Sequence, residues 1–280
     1  MLGKLIKHEW KRVWKVPALL LLLLQLIALG AGLTFLKPVF ENEPSGIFAV
    51  IIGLVWAAFI ISIIGVSFAV IIYLALQFYK SMYSDEGYLT HTLPVTGTQL
   101  LAAKGLVMGL WSILCTLGIF LSIFVFIVTA ANCYPGKEEL LIFLRESEEG
   151  WNFLLSELRR ELELLGIDLA KIIIPFIISA FIGIIYNVAL VMGALTIGQL
   201  ARRYRIAFSF LAGIVISWVI SLIQGTIQVP FIFFSISSGT TDNGFYMLGS
   251  IWMQNLIVAI AAAVLFIVSS YIIRKKLNLE

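Results

Sequence analysis

The residues of this 280-residue chain best suited to chemistry are few and scattered. His8 and His91 are its two histidines, and Cys115 and Cys133 its two cysteines. A zinc site needs three or four such ligands converging at short spacing; no such cluster is written here, nor an H-E-x-x-H helix. The cysteines lie 18 residues apart along one expected helix, roughly 27 Å at about 1.5 Å per residue, too far for a disulfide. They read as structural thiols, and His8 as part of a polar stripe. No G-x-x-x-x-G-K-[ST] loop is present to cradle a phosphate. No Ser–His or Asp–Asp pair inside an apolar run suggests a protease. The chain shows no enzymatic chemistry of its own, and it is expected to hold no metal or cofactor; energy for any work must enter from elsewhere.

One stretch is chemically dense, "FYKSMYSDEGYLTHTLPV" at residues 78–95. Lys80, Asp85 and Glu86 stand among Phe78, Tyr79, Met82, Tyr83, Tyr88 and Leu89. Gly87 and Pro94 break it, leaving residues 79–85 as a short helix, and Thr96 with Gln99 forms a capping box for the helix that follows. Exposed aromatic bodies are costly, so either the membrane interface or a protein covers them.

The elements around this stretch are made for lipid. The chain is 61% hydrophobic and 12% charged, with a mean hydropathy of +1.03, whereas a soluble domain is about a quarter charged. Charges are bunched, leaving apolar runs of bilayer-crossing length. We therefore expect an all-α polytopic membrane protein with a single transmembrane domain over residues 1–280. Its six spans are expected at about 17–36, 47–78, 100–132, 172–200, 206–228 and 249–273. The second and third exceed what a bilayer demands. A β-barrel would show short alternating segments instead. Residues 1–16 are basic, but the long apolar run after them lacks a small-x-small site and reads as a retained first span.

Lysine and arginine set the orientation. With the N-terminus inside, cytoplasmic segments hold thirteen of the nineteen Lys and Arg, including Lys80, Lys104, Arg203 and Arg274, and four of the sixteen acidic residues. Residues 79–99 are then the one substantial cytoplasmic loop, and both termini are inside. All charged residues fall at loops or span ends, none near the midplane. Ion-coupled carriers usually need an intramembrane charge. Polar side chains within spans, including Asn187, Gln224, Gln254 and Asn255, are explained either by interhelical hydrogen bonds or by a substrate path. Pro175 is expected to kink the fourth span.

Three further segments are not spans. In "LGKLIKHEWKRVWK" (2–15), Lys4, Lys7, His8, Lys11, Arg12 and Lys15 recur on one helical face, with Trp10 and Trp14 on the rest. Such a helix lies in the inner interface against anionic lipid headgroups, separated from the first span by Pro17. Residues 133–171 form an extracellular helical insertion, with Arg145–Glu149 and Arg159–Glu163 at i, i+4 and Gly150 between two helices. Pro230 is expected to end the fifth span, opening a loop or re-entrant element over 229–245.

"FYKSMYSDEGYLTHTLPVTGTQLLAAKGL" (78–106) resembles the loop between spans two and three in permease subunits of bacterial ABC-2 type transporters, especially those of Gram-positive bacteria. "KHEWKRVWK" is similar to that family's opening, and six spans with the N-terminus inside agree across essentially the whole chain. The resemblance implies an exporter built from two permease subunits, identical or paralogous, and two cytosolic ABC ATPase subunits that bind ATP and Mg. It implies that Tyr79, Lys80, Met82, Tyr83, Asp85, Glu86, Gly87 and Tyr88 form the coupling surface seated on the ATPase. Asp85 and Glu86 then pair with basic groups there, and Gly87 lets the chain leave the helix. The lead helix, with Lys4, Lys7, Trp10, Lys11, Arg12 and Trp14, lies beside it. In this chain the large external insertion falls between spans three and four, whereas many members carry theirs between five and six. The expected setting is a bacterial plasma membrane, with lipids as partners and no nucleic acid. The expected cargo is a peptide, an antibiotic-like or a lipid-like molecule. The alternatives are an ion-coupled or facilitative carrier, and a membrane sensor or scaffold whose external hairpin binds a peptide.

Overall fold

A computed structural model describes residues 2–35, 47–84, 96–133, 145, 148–150, 152–160, 169–201, 203–237 and 243–275. Among the described residues there are helices and turns but no strand. Backbone amides in hydrocarbon have no water to bond, so an apolar chain must satisfy them within a helix. The helices are α1 (Leu2–Val13), α2 (Lys15–Leu33), α3 (Ile47–Tyr83), α4 (Gly97–Cys133), α5 (Leu169–Gly198), α6 (Arg205–Ser237) and α7 (Asn243–Lys275). Six of them, α2 to α7, are long and apolar enough to cross a membrane. The fold is an all-α polytopic membrane fold. α3 and α4 have 37 residues each, about 55 Å at ~1.5 Å per residue, against a hydrocarbon core of ~30 Å.

Pro17 separates the lead helix from the first span as expected, whereas Pro230 acts differently from expectation. The break between α1 and α2 falls at Trp14, three residues before Pro17. Pro17 lacks an N–H and its ring crowds the Val13 carbonyl, so the ladder is interrupted there. It resumes with Ala18 N–H donating to the Trp14 carbonyl at 3.1 Å. Pro230 does not end the fifth span: α6 continues through it to Ser237. One missing bond to Thr226 is tolerated because the flanking apolar turns have no better alternative in lipid. Pro175 likewise lies within an unbroken α5.

The described chain packs into two compact units. The smaller comprises residues 6–77 and 110–151. Within it α2 runs parallel to α4: a Cβ at Gly118 would meet Leu21 at 2.8 Å, and one at Gly32 would meet Thr129 Cβ at 2.6 Å. Glycine is required at Gly32, where the Phe126 carbonyl also lies 3.1 Å from that Cβ position, whereas at Gly118 the neighbour is the movable tip of Leu21. Gln25 Nε2 donates to the Gly118 carbonyl at 2.8 Å. Trp56 Nε1 donates to Thr34 Oγ1 at 2.9 Å, beside an aromatic cluster of Phe35, Trp56, Phe59 and Phe126.

The larger unit comprises residues 1–5, 78–109 and 152–280. Its core is the parallel pair α5 and α7, where Ala189, Ala262 and Leu265 are buried against Tyr186, Leu190 and Ile216. Gly193 sits where a Cβ would lie 3.1 Å from Leu265 Cδ2. α6 returns antiparallel to α5 after a turn in which Tyr204 takes φ 60°; a Cβ at Gly198 would fall on Ser209, 2.7 Å from its Cα.

Of the insertion between α4 and α5, residues 152–160 are helical and expose Phe153, Leu154 and Leu158. The expected Arg145–Glu149 pair is present at 3.3 Å, and Arg160 pairs with Glu157. Glu163 and Trp151 lie outside the described residues.

Gly32→Ala should destabilise the protein by ~1–3 kcal/mol, the cost of overpacking a filled crossing. Gly53→Ala, with nothing within 4 Å of its Cβ position, should be neutral or slightly stabilising. Thermal unfolding in mild detergent compares the two, and an equal effect would discount the crossing.

Candidate functional site

The chemically dense stretch begins on the last turns of α3. Val66, Val70, Leu74, Phe78 and Met82 are all buried, an i, i+4 stripe that carries the apolar face to the end of the helix. Of the residues the resemblance assigns to docking, Lys80 is exposed and Tyr79 half-buried. Met82 and Tyr83 are buried, at 0% and 8% exposure. The inward turn of Met82 follows from its place on the stripe, and that of Tyr83 from a hydrogen bond. Asp85, Glu86, Gly87 and Tyr88 lie outside the described residues.

Three hydroxyls join the helix ends in the larger unit, and each acts twice. Thr196 Oγ1 donates to its own helix at the Met192 carbonyl, 2.7 Å. Its one proton is thereby used, so in the 2.7 Å contact with Tyr83 the phenol donates. Ser81 Oγ donates to the Phe78 carbonyl at 3.1 Å and accepts from Lys104 Nζ at 2.8 Å. Thr98 Oγ1 accepts from Arg274 Nη2 at 3.1 Å. α3 is therefore bonded to α5 and α4, and α4 to α7.

The start of α4 forms the capping box legible in the sequence. Thr96 N–H donates to Gln99 Oε1 at 3.3 Å, and Gln99 N–H to Thr96 Oγ1 at 3.4 Å. A Cβ at Gly97 would lie 3.1 Å from Ile273 Cγ2, so α7 packs closely on this first turn.

Sequence reasoning placed Lys104 at a span end and missed its burial. The side chain is 3% exposed, about 10 Å into α4 at ~1.5 Å per residue. The signal was available: Leu100, Lys104, Val107, Met108, Trp111 and Cys115 share one buried face. Ammonium groups are rarely buried without partners, and Ser81 supplies one. In the smaller unit Glu9 is also buried, on a different face of α1 from Lys4, Lys7, His8 and Lys11, which are exposed. Arg12 is half-buried. Trp10 stacks on Trp111 at 4.9 Å, pinning α1 to α4, while Trp14 is exposed.

The polar residues expected within spans do not converge. Asn187 faces outward and bonds its own helix at the Gly183 carbonyl, 2.8 Å. Asn255 is buried and ties α7 to α5: Ser179 Oγ donates to its Oδ1 at 2.7 Å, and its Nδ2 donates to the Pro175 carbonyl at 3.4 Å. Gln224 and Gln254 are half-buried. Gln254 neighbours Asn255, and the antiparallel α5–α6 register, fixed by Gly198 on Ser209 and Gly213 on Ala194, brings Gln224 to the level of Gly183. Among the described residues no group of three or more His, Cys, Asp or Glu is placed to hold a metal ion. The chain matches no family model, no curated protein and no solved structure.

Ser81→Ala removes an acceptor from a buried ammonium and should cost ~1–3 kcal/mol. Asn255→Ala should cost about 0.6–1.7 kcal/mol, the range for interhelical bonds in lipid. Unfolding in detergent measures both; no loss in Ser81→Ala would mean that the contact does not hold the helix ends.

Proposed function

We propose that this chain is the permease subunit of an ABC-2 type exporter, moving cargo with energy from separate ATPase subunits that bind ATP and Mg. The observation that carries the reading is the run of residues 78–106, whose aromatic-Tyr-Lys, Asp-Glu-Gly-Tyr-Leu and Leu-Pro-Val elements resemble the family's coupling loop. The brace at the two ends of that run supports it. A connector serving only to join spans would not need its flanks bonded to each other and to two further helices. In this reading Tyr79 and Lys80, with Asp85, Glu86, Gly87 and Tyr88, meet the ATPase, while Met82 and Tyr83 hold the surface from within.

The lysine and arginine distribution supports a bacterial plasma membrane setting with both termini inside. α1 then rests at the inner interface, Lys4, Lys7 and Lys11 towards lipid headgroups and Trp14 at the acyl boundary. The second permease subunit is a copy or a paralogue. The cargo is a peptide, an antibiotic-like or a lipid-like molecule, and half-buried Gln224 and Gln254 are better placed along its path than Asn255, whose amide is engaged between helices.

An ion-coupled carrier needs a charge where ions cross, near the midplane. Among the described residues of the larger unit Lys104 is the buried cation, yet it lies near the charged end of a helix that exceeds the bilayer by ~25 Å. It suits a structural ammonium better than a coupling site.

Gently extracted, tagged protein should bring down an ABC ATPase at stoichiometric amounts; its absence would remove the exporter reading. In the recovered complex, Asp85→Lys with Glu86→Lys should uncouple cargo-stimulated ATP hydrolysis without loss of membrane insertion. Unchanged coupling would show that those carboxylates are not the docking pair.

A further inference from the structure

Whatever moves the ends of α3 and α4 is transmitted by what those ends are bonded to. The end of α3 is held by one strong contact to α5, the Tyr83 hydroxyl on Thr196 Oγ1 at 2.7 Å. The start of α4 is held to α7 by Arg274 Nη2 on Thr98 Oγ1 at 3.1 Å, with Gly97 closely packed on Ile273. These inputs enter two different helices, but α5 and α7 are not independent. Gly193 packs on Leu265 and Ser269, Ala189 on Ala262 and Leu265, and Ser179 and the Pro175 carbonyl bond Asn255. From Thr196 to Ser179 is 17 residues, about 26 Å at ~1.5 Å per residue, most of a hydrocarbon core of ~30 Å. The pair is thus clamped near both faces of the bilayer.

We propose that Tyr83 and Arg274 are positioning residues that deliver movement of the α3 and α4 ends to the α5–α7 pair, which carries it as one body to the opposite face. The inference rests on the exporter reading, because an ATPase must supply the movement. What it adds is the route: two side-chain hydrogen bonds converging on one helix pair. The bond at Thr196 has a fixed sense. Thr196 commits its proton to Met192, so a side chain at 83 that has no donor cannot replace Tyr83. In an apolar setting neither partner has water to exchange with, so the contact is kept while the helix end moves.

The test uses the chain with the ATPase that co-purifies with it, in lipid nanodiscs. Cys115→Ala and Cys133→Ser remove the native thiols, and Lys171→Cys places a reporter at the exposed start of α5. Maleimide labelling rates are compared between nucleotide-free and ATP–vanadate-trapped complexes, at equal ATPase occupancy. The parent should change its rate severalfold on trapping. Tyr83→Phe, which keeps the ring and removes the donor, should reduce that change to less than a third. Thr196→Val should do the same, the double variant no more than either single, and Thr196→Ser should retain the response. Arg274→Met should halve it. A merely structural bond would lower thermal stability in these variants and leave the trapping response intact.

If no ATPase is recovered with the parent, the exporter reading fails before the route is tested, and the route fails with it. If the parent responds and Tyr83→Phe responds equally, the route is overturned and the exporter reading stands. A parent that binds ATPase but shows no change at residue 171 likewise overturns the route. Should Tyr83→Phe fail to fold, the comparison of Thr196→Ser with Thr196→Val decides alone.

Discussion

Polar groups in a hydrocarbon environment must find their partners within the chain, and most of this structure follows from that rule. It makes the segments helices, carries α6 through Pro230, and turns hydroxyls back onto their own backbones. Ser67, Thr129, Thr196, Ser209 and Ser269 each donate to the carbonyl four residues earlier. A hydroxyl satisfied in this way still has lone pairs, and a donor from another helix can use them. Thr196, and Ser81 with its bond to the carbonyl three residues earlier, are where that happens. With every apolar surface matched by lipid, hydrophobicity has little to say about which helices pair. Close glycine crossings and these second bonds decide it instead.

The same rule explains why the two units are built differently. The smaller is held by backbone proximity at Gly32 and by stacked aromatic rings, with Gln25 adding a single interhelical amide bond to the Gly118 carbonyl. The larger concentrates its side-chain bonds where α3 ends and α4 begins, the stretch whose residues also carry the family resemblance. Tyr79 and Lys80 stay outward while Phe78, Met82 and Tyr83 anchor the same turns. Outward side chains and a brace for the bundle thus alternate along six residues.

Much of this was legible in the sequence, and the reasons differ by feature. Length and apolarity located all six spans, because nothing else makes runs of that kind. The capping box at Thr96 and Gln99 and the pair at Arg145 and Glu149 are local devices, readable at fixed spacing. The helix end near Pro230 was misjudged: that proline was given more breaking power than it has where the alternative is bare backbone in lipid. The burial of Lys104, Met82 and Tyr83 was missed because residue type was weighed above position on the helical face. The partnership of Tyr83 with Thr196, 113 residues away, leaves no trace at any spacing a single sequence displays.

The short link between α5 and α6 has a consequence of its own. Tyr204 sits in the left-handed region at φ 60°, one of few ways a non-glycine residue can reverse a chain within so few positions. Just inside it, Gly198 lies against Ser209 with no space for a methyl group. The two helices therefore share one register, like a rack and its mating bar cut to the same pitch. α6 cannot slide along α5 without unwinding the turn that joins them, so an axial shift of either is an axial shift of both.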